Sequence, residues 1–322
     1  MLKLNTLSGF GSGTASAAAS VDALYLMGGQ SHGEAEKITF STEISALVTT
    51  ADLSALNYGM GTLSDPTGGN GYCCGGAKGA EHAMSAECEK LVYSTEITSV
   101  STDAVLSATN QAMGKISEGS TKGYIMGGIH PGGYTDSAEK LTFSTDTFAL
   151  ETDADLSVEL MNASSISNGS THGYHCGGAI LDNSAQALGH KLTFSTDTTI
   201  IETDANLSVI RVGHAGVNDD TNGYVGGGAS GGGGSNDTDV MDKIVFSTDI
   251  ASAHTDGNLA VARRDLESGS DNVVNGKGWF TGGVSYSCDT LVFSTGVATA
   301  NTDVTLNSGG SRDSGGMSSN TV

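Results

Sequence analysis

A phrase about fifty residues long recurs six times along this chain, and it restricts the possible folds more than any other feature. Its first marker is Gly-Tyr-x-x-Gly-Gly, degenerate at Leu24–Gly29 and then clear at Gly71–Gly76, Gly123–Gly128, Gly173–Gly178, Gly223–Gly228 and Gly278–Gly283. The first glycines of the terminal pairs, at 28, 75, 127, 177, 227 and 282, are separated by 47, 52, 50, 50 and 55 residues. A second marker, Lys-Leu-Thr-Phe-Ser-Thr, begins at Lys37, Lys90, Lys140, Lys191 and Lys243, with Thr290–Thr295 as its last copy. A third, Thr-Asp-Ala-x-Leu-Ser, carries Leu53, Leu106, Leu156, Leu207, Leu259 and Leu306. Three markers in one fixed order define a true structural repeat.

Each unit reads as β. The second marker alternates sides, with Leu141 and Phe143 on one face and Lys140, Thr142 and Ser144 on the other. The glycine marker reads as a strand ending where two glycines allow close backbone approach or positive φ. Phe148–Leu156 predicts another strand, and the small polar stretch Asn162–Ser167 a fourth. No window carries an apolar stripe of helical period, so helix is expected to be nearly absent. Four short strands per fifty residues predict a propeller blade, whereas a β-solenoid would repeat over a shorter span. The expectation is an all-β, six-bladed propeller of four-stranded antiparallel blades over 12–305, its ring closed by the termini. Residues 1–11 then form a closing strand or attachment arm, and the Gly/Ser-rich 306–322 a closing strand or tail. Small residues in Ala112–Ser117 and His214–Val217 suit the innermost strand, where blades converge. Only 37% of residues are hydrophobic, consistent with several small cores in place of one large one.

Charge and cysteine content narrow the function classes. Fourteen Lys+Arg against thirty-six Asp+Glu leave a net charge of −22, which argues against a nucleic-acid partner. No apolar run reaches the ~20 residues that span a bilayer, and the first dozen residues lack the apolar stretch of a secretory signal. Five cysteines are too few and too irregular for a disulfide scaffold, and are expected to pack as free thiols.

The double glycine after a strand aromatic, the next strand with its own aromatic, and Leu-x-x-x-Arg at Leu207–Arg211 and Leu259–Arg263 resemble kelch-type propellers. The likeness covers nearly the whole chain. It departs at the late kelch Trp, which has no counterpart here, and at the Arg, replaced by Asn57, Asn110 and Leu160. The phrase Lys-Leu-Thr-Phe-Ser-Thr-Asp-Thr is also similar to kelch-like arrays in virion proteins of marine tailed bacteriophages. That resemblance implies a non-enzymatic tail, fibre or capsid-surface protein. Its partners would be other virion proteins and a host-surface glycan or protein. A homo-oligomer is compatible with it, and no cofactor is expected. By the kelch strand order, the strand before Gly-Tyr is innermost and the Thr-Asp strand outermost.

Rigid blades with irregular connections point to the loops after the double glycine as the binding surface. Their candidate contact residues are His82, His130, Tyr134, Asp182, Asn183, Asn236, Asp237 and Tyr286. Copper-radical oxidases also carry kelch-like propellers, which makes a metal-dependent or carbohydrate-active enzyme the alternative, with His32, His82 and His130 as its loop histidines. A purely structural virion connector is the third reading. Asp103, Asp153, Asp204, Asp256 and Asp303 repeat and are expected to take backbone N–H groups in turns. The repeated lysines are expected to pair with surface carboxylates. Asn236, Asp237, Asp239 and Asp242 offer oxygens for Ca²⁺ without EF-hand spacing, which favours a solvated turn.

Overall fold

The computed structural model describes residues 22–119, 121–231, 235–283, 287–306 and 315–319. The chain is an all-β propeller arrangement of small antiparallel sheets. Five sheets are four-stranded and share one order, inner, second, third and outer strand in chain sequence. In the third repeat these are Gly114–Glu118, Lys122–Met126, Ala138–Thr142 and Thr147–Leu150. This is the expected blade, with the glycine marker on the second strand and the lysine marker on the third.

The first repeat differs from the uniform pattern expected. Its strands belong to a seven-stranded sheet, in which Ala23–Gly29 pairs on one side with His32–Thr39 and then Ile44–Leu47. On its other side Ala23–Gly29 pairs antiparallel with Gly315–Ser318 from the far end of the chain, Leu24 opposite Ser318. Three two-residue strands, at Asn57–Tyr58, Ala77–Lys78 and Ala83–Met84, extend the sheet from Gly29.

The outer strand is shorter than Phe148–Leu156 predicts, and the reason is chemical. The Asp155 carboxylate accepts the Ala138 N–H at 2.7 Å, and a single 3₁₀ turn at Thr152–Ala154 replaces further ladder. Asp52, Asn206 and Asn258 do the same for the N–H groups of Ala35, Gly189 and Met241. The second repeat has Val105 at this place, and its outer strand runs on through Ile97–Val105. The turn acceptor is therefore the residue just before the repeated Leu; Asp103, Asp153, Asp204, Asp256 and Asp303 are solvent-exposed.

Packing joins each repeat to the next. The tyrosine of the glycine marker stacks on the aromatic of the following repeat's third strand: Tyr25 on Tyr93, Tyr72 on Phe143, Tyr124 on Phe194, Tyr174 on Phe246 and Tyr224 on Phe293. Trp279 of the sixth repeat stacks on Phe40 of the first, with centroids 4.7 Å apart. Each stacked pair sits in one small cluster, as Tyr124 and Phe194 do with Ile116, Leu156 and Leu192. Such pairs contribute about 0.5–1.5 kcal/mol beyond the area they bury.

Close approach is what the glycines permit. Gly127 has φ +63°, and a Cβ there would sit 2.5 Å from the Leu160 carbonyl oxygen. At four junctions a carboxylate in the turn after Phe-Ser-Thr (Tyr-Ser-Thr in the second repeat) also receives the preceding repeat's tyrosine hydroxyl and lysine. Glu96 takes Tyr25 and Lys37, Asp146 takes Tyr72 and Lys90, and Asp249 takes Tyr174 and Lys191. Burial alone would raise the pKa of Asp197, but hydrogen bonds from Lys122, Lys140 and Tyr124 outweigh it and hold the group down at about 2. Among the described residues Lys243 lacks the expected carboxylate and lies instead over the Tyr224 ring.

The cysteines correct the expectation of free thiols. Cys74 and Cys88 face each other across two antiparallel strands and form a disulfide, while Cys73, Cys176 and Cys288 are free and buried. Fourteen residues of separation conceal a pairing that only the strand register creates.

Candidate functional site: the loop rim and the axial cavity

The connections between second and third strands all leave the sheets at one end, so the loops after the double glycines share a rim. They are built structures. Ala77–Lys78 pairs with Ala83–Met84, and Ile129–His130 pairs with Gly133–Tyr134. Single bridges join Ala179 to Ala185 and Ala229 to Asp237. Each hairpin is tied to the segment entering its own inner strand, through Tyr58–Ala77, Gln111–Ile129, Met161–Ala179 and Val212–Ala229. A small apolar cluster of Ala179, Ala185, Val212 and Ala229 lies beneath the fourth and fifth hairpins.

Tyr134 and Asn183 are brought together. The Tyr134 hydroxyl donates to Asn183 Oδ1 at 2.7 Å and links the loops of the third and fourth repeats at the surface. Asp182 is exposed and accepts the Ser184 N–H of its own loop at 2.9 Å. His82 sits at φ +51° with its ring edge-on to Tyr58, 5.5 Å between centroids. His130 lies in its hairpin opposite Gly133. Asn236 has φ +61° and its carbonyl accepts the Ser230 N–H. Asp237 pairs with Arg264. Tyr286 lies outside the described residues. The seven described positions are spread around the rim, and among them Tyr134 and Asn183 make the side-chain hydrogen bond that joins two loops.

Two expectations about cations meet paired groups. Asp237 is neutralised by Arg264, and Asp242 is fully buried in an ion pair with Arg211. Asp242 thus belongs to a blade junction, not to a solvated turn. Among the described residues no three His, Cys, Asp or Glu side chains form a group that could hold a metal ion, and His32, His82 and His130 stay on separate loops. Three other histidines are interior. His190 Nε2 lies 2.8 Å from Ser157 Oγ, His175 Nδ1 3.1 Å from Ser165 Oγ, and His214 donates through Nε2 to the Cys176 carbonyl at 2.8 Å. Burial lowers all three pKa values, to about 3 for His175 and His214 and about 4 for His190. The other histidines add to the effect at His175, and Arg211 adds to it at His214.

Inside the inner strands lies a cavity of about 220 Å³, lined by hydroxyls that include Thr62, Ser117, Ser165 and Ser268. Lys115 of the third repeat reaches Glu267 of the sixth across it, 3.1 Å from Nζ to Oε2. Sequence reasoning treated these strands as merely small. Lys115, Glu267 and Arg264 were missed, although a charge amid small residues, and a second Arg beside Arg263, were visible signals.

Among the described residues no helix is long and apolar enough to cross a membrane. No protein-family model matches this chain, and no curated protein is significantly similar to it.

Proposed function

We propose that the chain is a closed, six-bladed, kelch-like propeller. It acts as a non-enzymatic virion structural or adhesion protein of a tailed phage, and its loop rim meets a host-surface glycan or protein. The sixth blade is the strand set Gly315–Ser318, Ala23–Gly29, His32–Thr39 and Ile44–Leu47, shared between the two ends of the chain. Hydrogen bonds between inner strands support closure, because they run from repeat to repeat and return to the start. Ser64 N donates to Ser117 Oγ, Lys115 N to Ser165 Oγ, Ser167 N to Asn218 Oδ1, Asn218 N to Ser270 Oγ and Ser270 N to Ser318 Oγ. Thr62 Oγ1 then donates to the Gly316 carbonyl.

The observation that carries the adhesion reading is the contrast at the rim. Constant strands hold hairpins of different length and sequence, braced to their neighbours by Tyr134–Asn183 and Arg264–Asp237. A scaffold that fixes its frame and varies its loops presents a surface for recognition. Tyr and Asn at the rim supply ring contact and adaptable hydrogen bonds, which suit sugar or protein partners. The test is binding of the labelled full chain to host cells. Combined Tyr134→Ala and Asn183→Ala changes are expected to weaken it at least tenfold, while Thr145→Ala at the opposite rim leaves it unchanged. Equal binding by all three chains would contradict the assignment.

A further inference from the structure

The fifth junction breaks the rule that the other tyrosine junctions keep. Tyr25, Tyr72, Tyr124 and Tyr174 each give their hydroxyl to an acidic side chain of the next repeat, and a lysine shares it. At the corresponding turn of the sixth repeat stands Gly296, with φ +67°, close to the +54° of Asp197 and +61° of Asp249. The backbone is that of the other turns, but the carboxylate is missing and the His254 imidazole packs against the glycine in its place. Its two recipients remain. Tyr224 is fully buried, and its hydroxyl has no hydrogen-bond partner among the described residues. Lys243, opposite Tyr224 in the sheet, holds its ammonium 5.6 Å from the Tyr224 ring centroid and has no carboxylate partner among the described residues. The imidazole of His254 completes the surround, donating from Nε2 to the Gly296 carbonyl at 2.7 Å.

We propose that this junction binds a carboxylate from outside the fold, seated between Tyr224 and Lys243 once the His254 imidazole, whose Nε2 lies 2.5 Å from where a Cβ of residue 296 would stand, swings aside. An unsatisfied buried hydroxyl is costly, so an acceptor there is favoured twice, by relieving that group and by meeting the ammonium. Asp219, whose charge acts on Tyr224, spends Oδ1 on the N–H groups of Thr221 and Asn222 in its own turn. Its negative charge opposes any anion there and disfavours a polyanion more than a single carboxylate. The group comes from a small organic acid or from an Asp or Glu side chain of a partner protein. The site lies at the end of the blades opposite the loop rim and does not depend on the adhesion reading.

The experiment follows thermal unfolding of the full chain in sodium acetate against sodium chloride at equal ionic strength and pH 7. Saturation transfer to the acetate methyl group provides a direct binding readout. A blocked Gly-Asp-Gly peptide, whose one carboxylate is the side chain, forms the second arm. Acetate is expected to raise the midpoint of the native chain, and Tyr224→Phe and Lys243→Met are expected to weaken acetate binding at least tenfold. Gly296→Asp supplies the carboxylate internally once the His254 ring moves aside, and is expected to abolish the response. Tighter binding of the peptide than of acetate would assign the site to a partner's side chain, and the reverse to a small acid. No binding of either probe to the native chain, or equal binding by the Tyr224→Phe and Lys243→Met variants, would overturn the proposal.

Discussion

Replacing Arg263 with methionine is expected to destabilise the chain by about 3–5 kcal/mol, one of the two largest effects we anticipate from this structure. Arg263 is fully buried, pairs with Asp289 at 2.6 Å and donates to the Phe280 carbonyl at 3.0 Å. Asp289 in turn accepts the Ala260 N–H, so it ties the fifth repeat's last segment to the sixth repeat's third strand. Removing the guanidinium strands that carboxylate in a dry junction. Adding Asp289→Asn removes the stranded charge and is expected to restore much of the loss, because replacing both partners of a buried pair is far less costly than breaking it. Denaturant unfolding of the single and double variants decides the matter. A single variant as stable as the native chain would mean that the junction does not hold this pair.

Acid is the second strong lever. The unfolded chain protonates His175, His190 and His214 near pH 6.5, whereas the folded chain resists until about pH 3–4. A depressed histidine pKa gives stability that is complete above the unfolded value and is lost as pH falls toward the folded one. The stability lost by about pH 4.5 is on the order of 2 kcal/mol per histidine. The carboxylates enter lower, since Asp197 is held near 2 and loses its advantage only below the ordinary Asp range. Unfolding free energy is therefore expected to drop steeply between pH 6.5 and 4, with proton uptake on unfolding in calorimetry. A flat profile from pH 7 to 5 would show that these imidazoles are hydrated.

Much of this architecture was legible in the sequence because strand alternation and glycine spacing are local. Leu141 and Phe143 reveal a buried face without any knowledge of their neighbours. What escaped depends on pairing across repeats. Tyr124 and Asp197 meet although 73 residues separate them, and neither motif alone shows that one repeat's tyrosine ends on the next repeat's turn. The Asp153 position looked like the turn acceptor because it recurs most faithfully, yet the N–H is taken by Asp155, where Asn serves equally well. Cys74 and Cys88 needed a register to become partners. At the rim, the variability of the loops was readable, but their bracing was not, since Arg264 reaches Asp237 from the neighbouring repeat and Tyr58 meets Ala77 and His82 only once its hairpin has folded.

Trp279, the single tryptophan of the chain, reports on the junction between the last repeat and the first. It is fully buried against Phe40, a contact that an elongated stack of repeats could not make. Its fluorescence in the native chain is expected to be blue-shifted and shielded from acrylamide, and Phe40→Ala is expected to red-shift it and open it to the quencher. A native Trp279 that emits as if in water and is freely quenched would contradict the proposed ring closure.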